Sequence, residues 1–175
     1  MSIPDEVLLS QYLDLKNKNW QKAGCGVVSL LMLMRYLQAG GKNSNQRLPS
    51  ADKLYQVGLN RRAYIKGVGW RHSGLVGLAK IYGFKNTKRY DLSKMSFDQS
   101  LTKLKLELKT DPVLVSVFSK YEPGRGGHLV VLLSLSKTVA EVLDPDTKVQ
   151  SAVYRKLSAQ KFLSAYKSRF ITVRP

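Results

Sequence analysis

Trp20-Gln21-Lys22-Ala23-Gly24-Cys25-Gly26-Val27-Val28-Ser29-Leu30-Leu31 holds the only cysteine of the chain, at the first turn of its most apolar stretch. The apolar run extends to Leu37, interrupted by Ser29 and Arg35. It predicts a helix from about Cys25 to Gln38 that is buried nearly all round, with Met32 and Met34 as packing residues. A thiol at a helix start faces unpaired backbone N–H groups and the positive end of the helix dipole, a setting that favours the thiolate. Cys25 is therefore a candidate nucleophile, although a lone cysteine on an apolar helix also suits a core.

Working outward, Gly40-Gly41-Lys42-Asn43-Ser44-Asn45 reads as a helix stop and a polar loop. Ser50 can cap a short helix through about Val57, with Gly58 ending it. Gly67, Gly69 and Gly74 mark a loop carrying Trp70 and His72, after which Ser73 can cap a helix to about Tyr82. Ser96 and Gln99 form a capping box for a helix through about Leu108, with Leu101, Leu104 and Leu108 on one face. The character then changes. Pro112 to Phe118, Leu129 to Leu135 and Val139 to Leu143 are β-branched or apolar runs bounded by turn residues. A short helix around Phe162, Leu163 and Tyr166 and a strand from Phe170 to Val173 complete the chain. Helices first and strands later predict an α+β fold.

The 175 residues suit a single domain, 1–175, and 43% hydrophobic with 23% charged residues is the balance of a soluble globular protein. The start lacks the basic and long apolar regions of a secretory signal, and no stretch is long enough to span a bilayer. A cytoplasmic location is the resulting expectation, with export or membrane association left open. The net charge of +17 attracts anionic partners without specifying a fold. Its lysines and arginines are scattered, with no recognisable nucleic-acid motif, which makes nucleic acid the less favoured partner.

Nucleophilic catalysis by cysteine needs an imidazole to take and return a proton, and a third group to hold that imidazole. There are two histidines. His72 stands near a helix start and reads as a cap or packing residue. His128 follows Gly124-Arg125-Gly126-Gly127, where backbone and substrate can approach closely, and it opens the strand Leu129 to Leu133. A reversal centred on Ser136 would set His128 directly opposite Asp144 on the next strand, with Cβ atoms about 4.5–5.5 Å apart. Asp144 would then fix the ring tautomer, and Pro145 would end the strand. Two histidines, one cysteine and no spaced ligand cluster argue against a zinc site, and nothing calls for another cofactor.

Cys25-Gly26 opening a helix after Trp20, Gly126-Gly127-His128 opening a strand, and Asp144-Pro145 ending the next strand resemble the C39-like peptidases of the papain-like superfamily. The likeness includes Gly69-Trp70-Arg71-His72 and Pro112-Val113-Leu114-Val115-Ser116. It implies a helical half packed on an antiparallel sheet, with the site in the cleft between them. It also implies a cysteine endopeptidase with Cys25 as nucleophile, His128 as general base and acid, and Asp144 as orienting group, working through a thioester without a cofactor. Papain-like enzymes usually carry an oxyanion-stabilising glutamine at the position held here by Asn19, and Gln21 stands two residues later, so either amide is a candidate. Gly127 and Trp70 are the candidate substrate contacts. The expected partner is a peptide or protein, acidic or cut after a Gly-Gly pair. The competing readings are a catalytically silent peptide-binding module and a basic binder of nucleic acid or anionic surfaces.

Overall fold

A helix with no polar face must be covered on every side, and the elements around α2 meet that requirement. The computed structural model describes residues 3–175. After the short turn α1 (Lys18–Gln21), helix α2 (Cys25–Ala39) buries a continuous set of side chains from Val27 to Met34, and Leu37. Helix α3 (Ala51–Asn60) starts at the Ser50 cap, whose hydroxyl accepts the Lys53 N–H at 3.2 Å. A small hairpin, β1 (Tyr64–Ile65) and β2 (Gly69–Trp70), follows, and then α4 (His72–Ile81). Helices α3 and α4 pack on α2.

The remaining elements are β3 (Lys88–Asp91), α5 (Phe97–Leu108), β4 (Val113–Phe118), β5 (Gly127–Leu135), β6 (Val139–Leu143), β7 (Tyr154–Ser158), α6 (Ala159–Ala165) and β8 (Tyr166–Thr172). The strands form one six-stranded antiparallel sheet in the order β3-β8-β4-β5-β6-β7. Leu114, Leu129, Val131, Leu143 and Ile171 face the α2 side, while Val113, Val115, Val117, Val130, Leu132 and Phe170 face Leu104 of α5 and Phe162 of α6. The fold is α+β as expected, with helices on both faces of the sheet. That double coverage explains why β4 and the middle of β5 read as unbroken apolar runs, since burial of each Val or Leu contributes about 1.5–3 kcal/mol on either face. No helix among the described residues is long and apolar enough to cross a membrane.

Several local expectations change in three dimensions. Gly58 lies inside α3, because a Cβ there would sit 2.5 Å from the Trp70 ring; it is a packing glycine and the helix runs on to Asn60. The expected glycine loop before α4 is partly a hairpin, and α4 begins at His72 with no side-chain cap, so Ser73 does not serve as one. Strands β3 and β7 carry no pattern that predicts them from the sequence. They are the sheet edges, rich in charged residues and without apolar alternation, as edge strands commonly are. Strand β8 starts at Tyr166, earlier than Phe170, its first half being polar.

The β5–β6 register also differs from the simple reversal about Ser136. The turn is closed by the Ser136 N–H donating to the Val139 carbonyl at 2.8 Å, so Leu135 pairs with Ala140 and Ser134 with Glu141. Continued unchanged, that register would bring Asp144 beside Val131, on the face opposite His128. A bulge between Leu132 and Ser134 shifts the pairing by one, setting Leu143 against Val131. Asp144 thereby falls beside Val130, two residues along from His128 and on its face. The two are diagonal neighbours, not directly opposed.

Candidate active site

The turn that presents Cys25 is held by close packing. A Cβ on Gly26 would meet the Trp70 ring at 2.6 Å, and one on Gly24 would meet Leu15 at 2.4 Å and the Gln11 Cβ at 3.0 Å. The Trp70 indole N–H donates to the Ala23 carbonyl at 2.6 Å. Trp70 is only 8% exposed and makes an edge contact with Tyr55, on whose face Trp20 stacks at 4.6 Å. Trp70 therefore positions the loop before Cys25 while its edge lines the cavity described below. The Ser29 hydroxyl donates to the Leu129 carbonyl at 2.8 Å, a buried strut tying α2 to β5 next to His128.

His128 and Asp144 meet at that end of the sheet. The imidazole Nε2 lies 2.8 Å from Asp144 Oδ1, and both residues are buried, at 7% and 2% exposure. This contact leaves Nδ1 as the nitrogen available to the half-buried Cys25. Burial by itself would lower the imidazole pKa, but the hydrogen bond to Asp144, together with the interaction with Cys25, outweighs it and raises the group well above an ordinary histidine. Burial likewise works to raise the Asp144 carboxyl. His128, the Arg155 guanidinium and the Asp146 N–H overcome it and hold the carboxyl at about 2.

Asp144 is held by more than its histidine. Oδ1 also accepts the Asp146 N–H at 3.0 Å; Oδ2 accepts the Tyr121 hydroxyl at 2.9 Å and lies 3.2 Å from Arg155 Nη1. Four donors thus surround one carboxylate and fix its plane. Tyr121 is 4% exposed, and burial followed by the Asp144 charge raises its hydroxyl far above an ordinary phenol, leaving it a donor only. It and Lys120 adopt φ of 57° and 56°, a left-handed backbone that costs a bulky residue about 1–2 kcal/mol. Neither Tyr121 nor Arg155 carries a sequence signal for this role, because each reaches Asp144 only through the sheet.

The two amides expected to stabilise an oxyanion are engaged or exposed elsewhere. Gln21 donates its amide N–H groups to the Tyr12 and Leu15 carbonyls, both at 2.9 Å, so it holds the loop together. Asn19 is exposed, and neither residue lines the cavity at Cys25. Gln11 instead lies against Gly24, 3% exposed, with its side-chain oxygen unpartnered among the described residues. Its backbone N–H donates to the Pro145 carbonyl at 3.0 Å, linking the segment before Cys25 to the strand end that carries Asp144. The one legible signal is the polar pair Ser10-Gln11 set between the apolar Val7-Leu8-Leu9 and Tyr12-Leu13.

An open cavity of about 660 Å³ adjoins this cluster. Cys25, Ala23 and Trp70 line it on the helical side, and Gly127, His128 and Ser116 on the sheet side. Gly127 is exposed where β5 begins, leaving backbone open to the cavity. His72 also lines it, and burial lowers its imidazole pKa with help from the Arg169 charge. Among the described residues, no group of three or more His, Cys, Asp or Glu side chains is arranged to hold a metal.

Known structures share the fold. A Bacillus anthracis protein classed as a C39-like peptidase superposes with a TM-score of 0.63 at 20% identity, covering 99% of this chain and 96% of the other. The peptidase domain of Streptococcus ComA, a bifunctional ABC transporter in a quorum-sensing pathway, gives 0.59 at 21% identity, over 88% of this chain and 93% of that one. A double-glycine-motif protease from an AMS/PCAT transporter, solved with its leader peptide, gives 0.56 at 20% identity, over 86% and 84%. No curated protein matches the chain. At these identities the superpositions establish the fold, while the sequence match extends over residues 10–170 to the Peptidase_C39 like family, and the protein belongs to that family.

Proposed function

We propose that this protein is a thiol peptidase acting through Cys25, His128 and Asp144. The observation that carries the reading is the buried imidazole linked at Nε2 to an ionised carboxylate, with its other nitrogen left for the cysteine. The Cys25 thiolate attacks a peptide carbonyl carbon, and electrons move onto the carbonyl oxygen. The oxyanion is met by the Cys25 N–H, which has no acceptor within the helix, and by a side-chain amide, for which Gln11, packed against Gly24 with its side-chain oxygen unpartnered, joins Asn19 and Gln21 as a candidate. Collapse of this intermediate breaks the C–N bond as the His128 imidazolium donates its proton to the leaving amine. Water then attacks the thioester with His128 as base, releasing the acid and restoring the thiol–imidazole pair. Asp144 stays ionised and holds the ring.

The substrate in this reading is a peptide or the accessible segment of a protein. The relative solved with a leader peptide carries a double-glycine motif in its description. A Gly-Gly pair also suits a cavity whose walls include exposed Gly127 backbone.

The test is alkylation of Cys25 by iodoacetamide across pH, in the wild type and in His128→Ala, alongside peptide cleavage. Fast alkylation that persists to mildly acidic pH is expected, with loss of that acidic reactivity in His128→Ala and loss of cleavage in both His128→Ala and Cys25→Ala. Slow alkylation indistinguishable between the two proteins, or cleavage surviving in Cys25→Ala, would remove the reading. Peptide binding by a protein that alkylates slowly would leave a silent binding module.

A further inference from the structure

The cavity at Cys25 is lined by five cationic side chains, Lys22, Arg71, Arg89, Lys167 and Arg169, and by one carboxylate, Asp91. They come from separate segments: the turn before α2, the approach to α4, and strands β3 and β8. Asp91 is already engaged, 3.1 Å from Arg169 Nε and accepting the Ser93 hydroxyl at 2.6 Å. Lys22, Arg71, Arg89 and Lys167 form no ion pair among the described residues. The Arg71 guanidinium reaches the Arg62 carbonyl, which does not neutralise it.

Sheet register concentrates this charge. Asp91 pairs with Arg169, and Arg89 stands two residues before Asp91, so these side chains share one face of the β3–β8 pair. Lys167 lies farther along β8. Its ammonium lies over the Phe118 ring, 4.9 Å from the centroid, and 3.5 Å from the point where a Cβ of Gly127 would stand. A positive group thus sits beside the residue that precedes His128.

Unpaired like charges around a concave, low-dielectric wall repel one another and focus a positive potential into the space between them. An anion entering that space relieves the repulsion. We propose that the cavity selects a peptide bearing an Asp or Glu side chain within a few residues of the bond placed at Cys25, with Lys167 and Arg89 as the principal contacts. This rests on the reading that the cavity receives a peptide, and it names the substrate class for that site. The location favours a peptide over nucleic acid, because the cations surround the point where a carbonyl must reach the sulfur, in a space suited to a few extended residues.

The test uses peptides identical except for Glu, Gln or Lys at one position, scanned along both sides of the central bond. Binding is read by fluorescence anisotropy on the full-length Cys25→Ala protein, and kcat/KM on the wild type. At the best position Glu is expected to exceed Gln by about tenfold, the scale of a charge-assisted contact, with Lys weaker than both and the preference falling as salt rises. Lys167→Gln and Arg89→Gln should each shrink the Glu-to-Gln ratio, and Lys167→Glu should move the preference toward the Lys peptide. That reversal cannot arise from misfolding. Equal binding of Glu and Gln peptides at every position would overturn the proposal, as would displacement by a single-stranded oligonucleotide as effective as the Glu peptide. Glu-selective binding without cleavage by the wild type would sustain this inference and remove the peptidase reading. Cleavage indifferent to Glu or Gln would do the reverse.

Discussion

Replacing Tyr121 by Phe isolates one of the four donors around Asp144. The ring stays in place, 4% exposed, and so does its left-handed backbone, so packing and strain are common to both proteins. What is lost is the 2.9 Å hydrogen bond to Oδ2 of a buried, ionised carboxylate. Such bonds contribute about 1.5–3 kcal/mol. Arg155, 3.2 Å from the same oxygen with about a third of its side chain exposed, compensates only in part. A loss of about 2 kcal/mol is expected, or about 4–8 °C in Tm for a chain of this size. Urea unfolding of the wild type, Tyr121→Phe, Asp144→Ala and the double variant forms a cycle whose coupling should be about 1.5–3 kcal/mol. Because Tyr121 acts through Asp144 on the orientation of His128, kcat should fall with KM nearly unchanged, and the acidic reactivity of Cys25 should weaken. A coupling below about 0.5 kcal/mol, the scale of independent sites, would refute the reasoning.

Gln11→Ala should lower kcat by about 10²–10³, the cost of one oxyanion donor, while leaving Cys25 alkylation nearly unchanged because that reaction develops no oxyanion. An unaltered kcat would return the role to another group. Stability should also carry a distinct acid limb. The Asp144 carboxyl, held at about 2 against an ordinary 3.8, contributes about 2 kcal/mol that is fully present above 3.8 and lost as pH falls through about 2. The raised His128 contributes in the opposite sense, fully below its ordinary 6.5 and lost as pH rises through its higher folded value. Asp144→Asn should therefore flatten the acid limb in urea titrations at several pH values; superimposable acid limbs would contradict the assignment.

Much of the architecture was legible because it is written in local chemistry. The Ser96–Gln99 capping box forms with both of its hydrogen bonds, and the Ser50 cap starts α3 where the hydroxyl can meet an unpaired N–H. The apolar runs of β4 and β5 were readable because burial on both faces leaves no polar alternation to confuse them. Strands β3 and β7 were not, since an edge strand satisfies its partner through backbone hydrogen bonds while its side chains stay charged. Gly58 reads as a terminator in the sequence, but its reason for being glycine is Trp70, a residue distant in sequence.

The candidate site divides the same way. Residue types and their neighbours are enough to single out Cys25, His128 and Asp144 as candidates, because a nucleophile, a base and an orienting carboxylate would each need particular functional groups in particular backbone settings. Their meeting was a matter of assembly. The β5 bulge, one residue long, decides whether His128 and Asp144 share a face, and the simple hairpin count reached the right face through the wrong register. The packing of Gln11 against Gly24, the donors around Asp144, and the unpaired cations of the cavity emerge only when remote segments pack. Caps and periodicity act over a few bonds and a single turn, so they survive in a one-dimensional reading, whereas register, burial and charge pairing depend on which distant surfaces exclude water together.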